Sequence, residues 1–202
     1  MGELQLFDII GIKNEYNIDI FVETGTGDGY SFKHVLDVTK DNKFSSYFSI
    51  EIFKPLYDKC AAAFSIYKDF NIHLINDTSV DGLTRILNQI PSDKNVLFWL
   101  DAHFPEADFG GPKSYGSVSD KKLRIPLEEE LKLIKNNRSN NKDFLIIDDL
   151  RIYEDGEYES GNWPDRHLYG GNGIQFIYDA FSETHNIIKK NNHQGYILLI
   201  PK

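Results

Sequence analysis

The chain has 202 residues, of which 41% are hydrophobic, and this suits a single α/β domain spanning residues 1–202. Its formal charge of −9 argues against a general nucleic-acid binder, which would carry a basic face. One cysteine, Cys60, excludes an internal disulfide, and no apolar stretch reaches membrane-spanning length. We therefore expect a soluble, cytoplasmic protein that neither binds nucleic acid nor inserts into membranes.

The pattern along the chain alternates between strands and helices after a leading helix at residues 4–16, within a leading segment 1–16. Five apolar runs are predicted as parallel strands: 18–23, 47–51, 72–76, 96–101 and 144–148. Helical spacing lies between and after them at 30–38, 54–65, 79–89, 126–136 and 174–183. Two further strands, 187–190 and 196–200, form a C-terminal antiparallel hairpin. The fold class is thus α/β, with a doubly wound and mostly parallel sheet.

A glycine loop follows the first predicted strand and leads into a helix. Gly25, Gly27 and Gly29 are spaced as G-x-G-x-G, and Tyr30 stands where a dinucleotide fingerprint has its third glycine. A Walker loop would need Gly-Lys-Ser/Thr, which this segment lacks. Glu23 precedes the glycines and favours an ammonium or sulfonium over a phosphate. An ordinary turn is the alternative interpretation.

This loop resembles motif I of the class I S-adenosylmethionine (SAM) methyltransferases. The resemblance implies a seven-stranded Rossmann-like sheet and SAM as the methyl donor. It also implies which residues contact the donor. These are Glu23, Thr24, Gly25, Gly27, Gly29 and Ser31 in this loop, and Asp101 after the fourth strand.

Acidic residues follow the second and third strands as well. A carboxylate at Glu51 can accept hydrogen bonds from both ribose hydroxyls, although it could also be a solvated strand end. The resemblance implies that Asp77, with Thr78 beside it, reaches the adenine amino group. Either residue could instead supply the N-cap of the next helix.

The fourth and fifth strands end in carboxylates that neighbouring parallel strands would bring together. Asp101 and His103 follow one strand, and Asp148 and Asp149 follow the other. Three converging carboxylates repel one another and need a cation, so Asp101, Asp148 and Asp149 are predicted to bind a hard divalent metal, magnesium first and manganese second. The alternative is that the Asp-Asp pair only caps a loop.

These motifs together resemble the metal-dependent O-methyltransferases that act on sugars and glycans. The resemblance rests on Phe-Trp-Leu-Asp-Ala-His at 98–103, Gly110-Gly111, Pro-Leu-Glu-Glu-Glu-Leu at 126–131 and Ile-Asp-Asp at 147–149. It covers most of residues 21–151 and implies methyl transfer to a sugar hydroxyl. The antibiotic-modifying sugar O-methyltransferases tend to have a small or acidic residue where this chain has His103. The base is therefore open between His103, which we prefer because an imidazole titrates near neutral pH, and Asp101.

Two long loops, 102–125 and 151–173, follow strand ends and are predicted to hold the acceptor. Tyr153, Trp163 and Tyr169 are the expected platform for a sugar ring, with a deoxyhexose such as rhamnose as the first guess. A catechol-type or other small-molecule O-methyltransferase and a SAM-binding module without turnover are the alternatives. The sequence leaves open a homodimer and fusion to glycosyltransferase domains.

Overall fold

The computed structural model describes residues 3–105, 107, 114–138 and 142–202, and within them a seven-stranded sheet has the order β3-β2-β1-β4-β5-β7-β6. Strands β1 to β5 are parallel, and β7 runs antiparallel to both β5 and β6. The predicted doubly wound sheet with a terminal hairpin is confirmed. The strands are β1 Ile18–Thr24, β2 Ser46–Ile50, β3 Ile72–Ile75, β4 Asn95–Leu100, β5 Phe144–Ile147, β6 His185–Lys190 and β7 Tyr196–Pro201.

Helices cover both faces of this sheet, because alternate strand residues carry apolar side chains to opposite sides. One buried cluster packs β1 and β4 residues against α1, α2 and α3, and the other packs them against α4, α6 and α7. None of the described helices is long and apolar enough to span a membrane. The helices are α1 Ile9–Glu15, α2 Tyr30–Val38, α3 Lys54–Phe64, α4 Ser79–Leu87, α5 Lys121–Arg124, α6 Leu127–Arg138 and α7 Gln175–Phe181.

The leading segment differs from the single helix that its spacing predicts. A 3-10 turn at Leu4–Leu6 ends before Phe7, and α1 begins only at Ile9. The Asp8 carboxylate accepts a hydrogen bond from the Gly11 amide at 2.8 Å, so a new helix starts there. Phe7 then packs edge-on against Tyr196 of β7, with ring centroids 5.2 Å apart.

The strand order reverses at β1 and β4, and this places their carboxyl ends at the edge where α/β sheets bind ligands. The Asp101 amide donates to the Thr24 carbonyl at 3.1 Å, and the Asp148 amide donates to the Leu100 carbonyl at 3.0 Å. These bonds continue the ladder one residue past the strands. They bring the ends of β1, β4 and β5 to the same level.

Candidate functional site

A cleft of about 560 Å³ lies over the carboxyl ends of the parallel strands. The glycine loop after β1 forms one end, the Asp101–His103 segment lies in the middle, and Trp163 lines the far end. This is the edge that the strand-end residues predicted, and it is large enough for a small-molecule ligand.

Backbone geometry explains the glycine at the start of the loop. Gly25 has φ +80°, and a Cβ there would lie 2.5 Å from the Asp101 carbonyl oxygen. The Gly27 amide donates to Oε2 of Glu51 at 2.8 Å, and the Phe53 amide donates to its Oε1 at 2.7 Å. Burial raises the pKa of Glu51. Each carboxylate oxygen keeps acceptor capacity toward the cleft, as the predicted ribose contact requires.

Other predicted loop contacts lie away from the cleft lining. Glu23 is fully buried and accepts the Ser49 hydroxyl at 2.5 Å. Burial raises the pKa of Glu23 well above its usual value, and the hydrogen bond from Ser49 offsets only part of that shift. The structure therefore does not support the expected attraction between a charged Glu23 and a cationic ligand. Thr24 is also fully buried. Gly29, with φ +79°, is the N-cap of α2. Of the predicted donor contacts at the start of α2, Ser31 lines the cleft.

Asp77 and Thr78 line the cleft near the start of α4. The Thr78 hydroxyl accepts the Asp81 amide at 3.1 Å, so Thr78 supplies the N-cap that the alternative interpretation described. Asp77 pairs with Arg85 at 2.6 Å and accepts the Thr78 amide at 2.9 Å. Its carboxylate is thus held beside the cleft rather than used as the cap.

Three side chains converge at the centre of the cleft. Nε2 of His103 lies 2.7 Å from Oδ2 of Asp149 and 3.2 Å from Oδ1 of Asp101. Burial opposes the charged imidazolium, but the two carboxylates outweigh it and raise the pKa of His103 well above its usual value. Without a bound cation, these contacts favour the charged imidazolium over the neutral imidazole that a base at this position requires. The choice between His103 and Asp101 as the base stays a prediction.

The same three residues offer ligand atoms that all lie within 4.8 Å of one another. Both ring nitrogens of His103 and Oδ1 of Asp149 are buried without an aligned hydrogen bond. Unpaired buried donors and acceptors at this distance are what a bound cation would satisfy. Magnesium prefers ligand sets made of oxygen alone, so an imidazole ligand makes this set less suitable for magnesium. A mixed set of carboxylates and imidazole suits manganese.

Asp148, the other predicted metal ligand, lies next to this cluster but is not among the three residues whose ligand atoms lie within 4.8 Å of one another. Its Oδ1 accepts the Asp149 amide at 2.8 Å, and its Oδ2 is buried without a partner. Burial raises the pKa of Asp148 well above its usual value, and the charges of Asp101 and Asp149 add to the shift. Asp149 has φ +54°, a left-handed conformation that turns the chain after β5. The metal role of Asp148 stays a prediction.

Glu130 is a buried carboxyl that the sequence analysis missed. It is 1% exposed, and burial raises its pKa to about 7, while the hydroxyls of Ser79 and Thr24 lower it. Three consecutive glutamates at the start of α6 are explained by the positive end of the helix dipole. This interpretation gave no reason to expect that one of them, Glu130, is buried. Glu130 shares a helix face with the buried Leu127 and Ile134, and that spacing was the available signal.

The far wall of the cleft is aromatic, with Phe104, Tyr115 and Trp163 packed together at centroid distances of 4.9 to 6.0 Å. Of the expected platform residues, only Trp163 lines the cleft. Tyr153 and Tyr169 are buried and pack edge-on at 5.0 Å behind it. Both tyrosines belong to the hydrophobic core, because their loop folds back on α6 and α7.

The loop of the β6–β7 hairpin also reaches the cleft. The predicted strands alone gave no indication of this contact. Gln194 lines the cleft, and its side-chain oxygen accepts a hydrogen bond from the Arg151 guanidinium. Nε of Arg151 lies 3.5 Å from Oδ1 of Asp149. The motif residues Gly110 and Gly111 lie outside the described residues.

No family model matches the chain. A curated protein, the phosphoglycerate kinase of Prochlorococcus marinus (strain MIT 9515), is 27% identical over 135 residues, which are 58% of this chain and 33% of the kinase. The chain spans about a third of that relative's length. Phosphate transfer is therefore not inferred for this chain.

Solved structures of methyltransferases resemble the whole domain. A proposed caffeoyl-CoA O-methyltransferase from Staphylococcus aureus has a TM-score of 0.65 at 12% identity, covering 100% of this chain and 85% of that one. An S-adenosylhomocysteine (SAH)-bound methyltransferase of Podospora anserina has a TM-score of 0.60 at 14% identity over 96% and 76% of the two chains. The Bacillus cereus O-methyltransferase in complex with SAH has a TM-score of 0.59 at 16% identity over 98% and 79%. At these identities the likeness establishes the methyltransferase fold.

Proposed function

We propose that this protein transfers a methyl group from SAM to a hydroxyl of a sugar or glycan. The observation that carries the proposal is one continuous cleft at the strand switch point. It joins the glycine loop and Glu51 to a largely buried Asp101–His103–Asp149 cluster and an aromatic wall. The fold, which SAH-bound methyltransferases share, supports the choice of donor.

The donor half of the cleft fits SAM by its chemistry. Gly25 and Gly27 allow the backbone to come close to the ligand, and Glu51 offers acceptor oxygens for ribose hydroxyls. Asp77, fixed by Arg85, is the acceptor for an adenine amino group. Acidic side chains along this half favour a donor that carries a sulfonium.

Methyl transfer needs an aligned acceptor oxygen that loses its proton as the S–CH₃ bond breaks and the O–CH₃ bond forms. The two carboxylates beside His103 favour its charged form, so we assign proton acceptance to the Asp101 carboxylate. His103 and Asp149 hold Asp101 in place and keep the centre of the cleft polar. A divalent cation held by the Asp101 and Asp149 carboxylates, and by His103 once its imidazole has lost its proton, would lower the pKa of the acceptor hydroxyl.

The acceptor half combines flat apolar surface with hydrogen-bonding groups. Trp163 and Phe104 offer ring faces, and Arg151 and Gln194 offer polar groups beside them. A sugar needs this mixture, and the methyl group of a deoxyhexose such as rhamnose would gain from the aromatic wall. A catechol-type acceptor is the second candidate, because one structural neighbour is a proposed caffeoyl-CoA O-methyltransferase.

Methyl-labelled SAM incubated with glycosides, catechols and oligonucleotides tests the proposal. We expect label in a glycoside, loss of transfer in excess chelator, and recovery on addition of magnesium or manganese. Label only in catechols would reject the sugar acceptor while keeping the enzyme class. Undiminished transfer in chelator would reject the cation, and no binding of SAM by calorimetry would reject the proposal as a whole.

A further inference from the structure

We propose, resting on the proposed function, that Arg124 is a positioning residue for the acceptor. Its guanidinium joins the two acceptor loops, 102–125 and 151–173, and so fixes the aromatic wall against which the acceptor lies. Arg124 is not among the described residues that line the cleft, so it acts through this wall and not by touching the acceptor.

The aromatic wall is built from both loops. Phe104 and Tyr115 belong to loop 102–125, whereas Trp163 belongs to loop 151–173. The ring centroid of Trp163 lies 4.9 Å from that of Phe104 and 6.0 Å from that of Tyr115. Burial of apolar surface is non-directional, so ring packing alone does not fix one loop relative to the other.

The Arg124 side chain supplies directional bonds to both loops. Its Nη1 donates to the Val118 carbonyl at 2.9 Å, and its Nη2 donates to the Leu168 carbonyl at 2.6 Å. Val118 belongs to the same loop as Arg124, and Leu168 belongs to the other loop. A guanidinium holds its donors in one rigid plane, so the two carbonyls are kept at a fixed separation.

Both ends of this link lead to residues of the wall. On one side, the Phe104 amide donates to the Arg124 carbonyl at 2.8 Å. On the other side, a 3-10 turn, Arg166–Leu168, ends at the bonded carbonyl, and the Arg166 amide donates to the Trp163 carbonyl at 3.3 Å. Hydrogen bonds therefore connect Arg124 to the backbone of Phe104 and, through one turn, to that of Trp163.

The backbone of Phe104 is held in a conformation that a bulky residue seldom adopts. Its φ of +44° is left-handed, and such a conformation persists only where the surrounding contacts maintain it. In this conformation the Phe104 ring lies close to both His103 and Trp163, with centroids 5.4 and 4.9 Å away. The link through Arg124 thus fixes the wall next to the centre of the cleft.

A second contact between the loops also comes from α5 but is weaker. Nζ of Lys121 lies over the ring of Tyr169, 4.8 Å from its centroid. Lys121 is exposed, so water competes for its charge, whereas the two bonds of Arg124 are partly buried. Arg124 is therefore the residue to test.

Arg124→Met tests the proposal in the full chain with labelled SAM and the glycoside that the acceptor panel identifies. We expect the acceptor KM to rise about tenfold, because the wall is no longer fixed, and the SAM Kd to stay within about twofold of the wild-type value. The control is Arg166→Met. Arg166 lies in loop 151–173 and pairs with Asp155 of the same loop at 3.5 Å, so its loss should leave the acceptor KM unchanged.

A double-mutant cycle with Trp163→Ala separates positioning of the wall from a general structural role. Once Trp163 is replaced by alanine, Arg124→Met should raise the acceptor KM by less than about twofold further, since the wall through which Arg124 acts is already lost. Additive effects of the two substitutions would show that Arg124 acts on something other than the wall, and they would overturn the proposal.

Fluorescence gives a readout that needs no acceptor. The chain has two tryptophans; Trp99 is fully buried and Trp163 is 8% exposed, so quenching by acrylamide reports mainly on Trp163. Arg124→Met should raise the quenching constant about twofold, and Arg166→Met should leave it at the wild-type value. Arg124→Lys keeps the charge but lacks the planar fork, so it should show a smaller rise and serves if Arg124→Met does not fold.

The outcomes separate this inference from the proposed function. An unchanged acceptor KM in a folded Arg124 variant overturns the inference and leaves methyl transfer to sugars standing. If no acceptor of the panel is methylated, the proposed function fails. Quenching then decides alone: a raised constant supports the link between the loops, and an unchanged constant rejects it.

Discussion

Two adjacent aspartates after β5 should respond in opposite ways to the same substitution. The Asp149 carboxylate lies 2.7 Å from Nε2 of His103 in a buried site, and its pKa is lowered because the His103 charge outweighs burial. Asp148 has a raised pKa, and its Oδ1 accepts one backbone amide. An amide mimics the protonated carboxyl, so Asn should suit position 148 and not position 149.

The magnitude follows from the contacts that each variant loses. Asp149→Asn weakens a charged buried contact, which costs about 1.5–3 kcal/mol of unfolding free energy. For a chain of this size that is a fall of about 3–12 °C in Tm. Asp148→Asn keeps its acceptor oxygen for the Asp149 amide and should change stability by less than about 1 kcal/mol.

The effect should depend on pH in a definite direction. The lowered pKa of Asp149 gives stability that is present above its usual value of 3.8 and is lost as the pH falls through its folded-state pKa. The raised pKa of His103 gives stability that is present below 6.5 and is lost as the pH rises through its folded-state pKa. The Tm difference between wild type and Asp149→Asn should thus be widest between these two values and narrow at alkaline pH.

Calorimetric unfolding in chelator measures these differences, and magnesium or manganese is then added back. Wild type and Asp148→Asn should gain Tm with the cation, whereas Asp149→Asn should gain little, since one of three ligands is weakened. Equal destabilisation by the two variants, or loss of the cation response only in Asp148→Asn, would refute the assignment of Asp149 to the cluster.

Three further predictions concern the two halves of the cleft. Gly25→Ala should cost at least about 1–2 kcal/mol in urea unfolding, because its φ of +80° is left-handed, and should abolish calorimetric SAM binding; unchanged affinity would contradict the close approach. Glu51→Gln should weaken SAM binding about tenfold or more, with the exposed Asp58→Asn as a control that keeps wild-type affinity. Trp163→Ala should raise the acceptor KM while the SAM Kd stays constant. Tyr169→Phe is the control: it loses only a 2.8 Å hydrogen bond to the Gly173 carbonyl, so it should lower the free energy of unfolding by about 1 kcal/mol and leave the acceptor KM unchanged.

The sequence alone determined the architecture and the edge of the sheet that carries the site. Continuous apolar runs and alternating helical spacing are local signals, and both predicted the doubly wound sheet. Gly25, Glu51 and Asp101 come directly after predicted parallel strands. Their position at the carboxyl edge of the sheet could therefore be predicted from the strand assignments alone. Capping also acts locally, but Asp8 was missed as a helix start because apolar spacing continues across it.

Only the tertiary structure decided which of these groups meet. The sequence places Asp148 and Asp149 side by side, but the left-handed turn at Asp149 sends only the second toward His103. Burial of Glu130 and the choice of Trp163 over Tyr169 for the cleft wall depend on how α6 and a long loop pack on the sheet. Side-chain direction past a strand end is set by non-local contacts, because the ladder that fixes alternation along a strand no longer operates there.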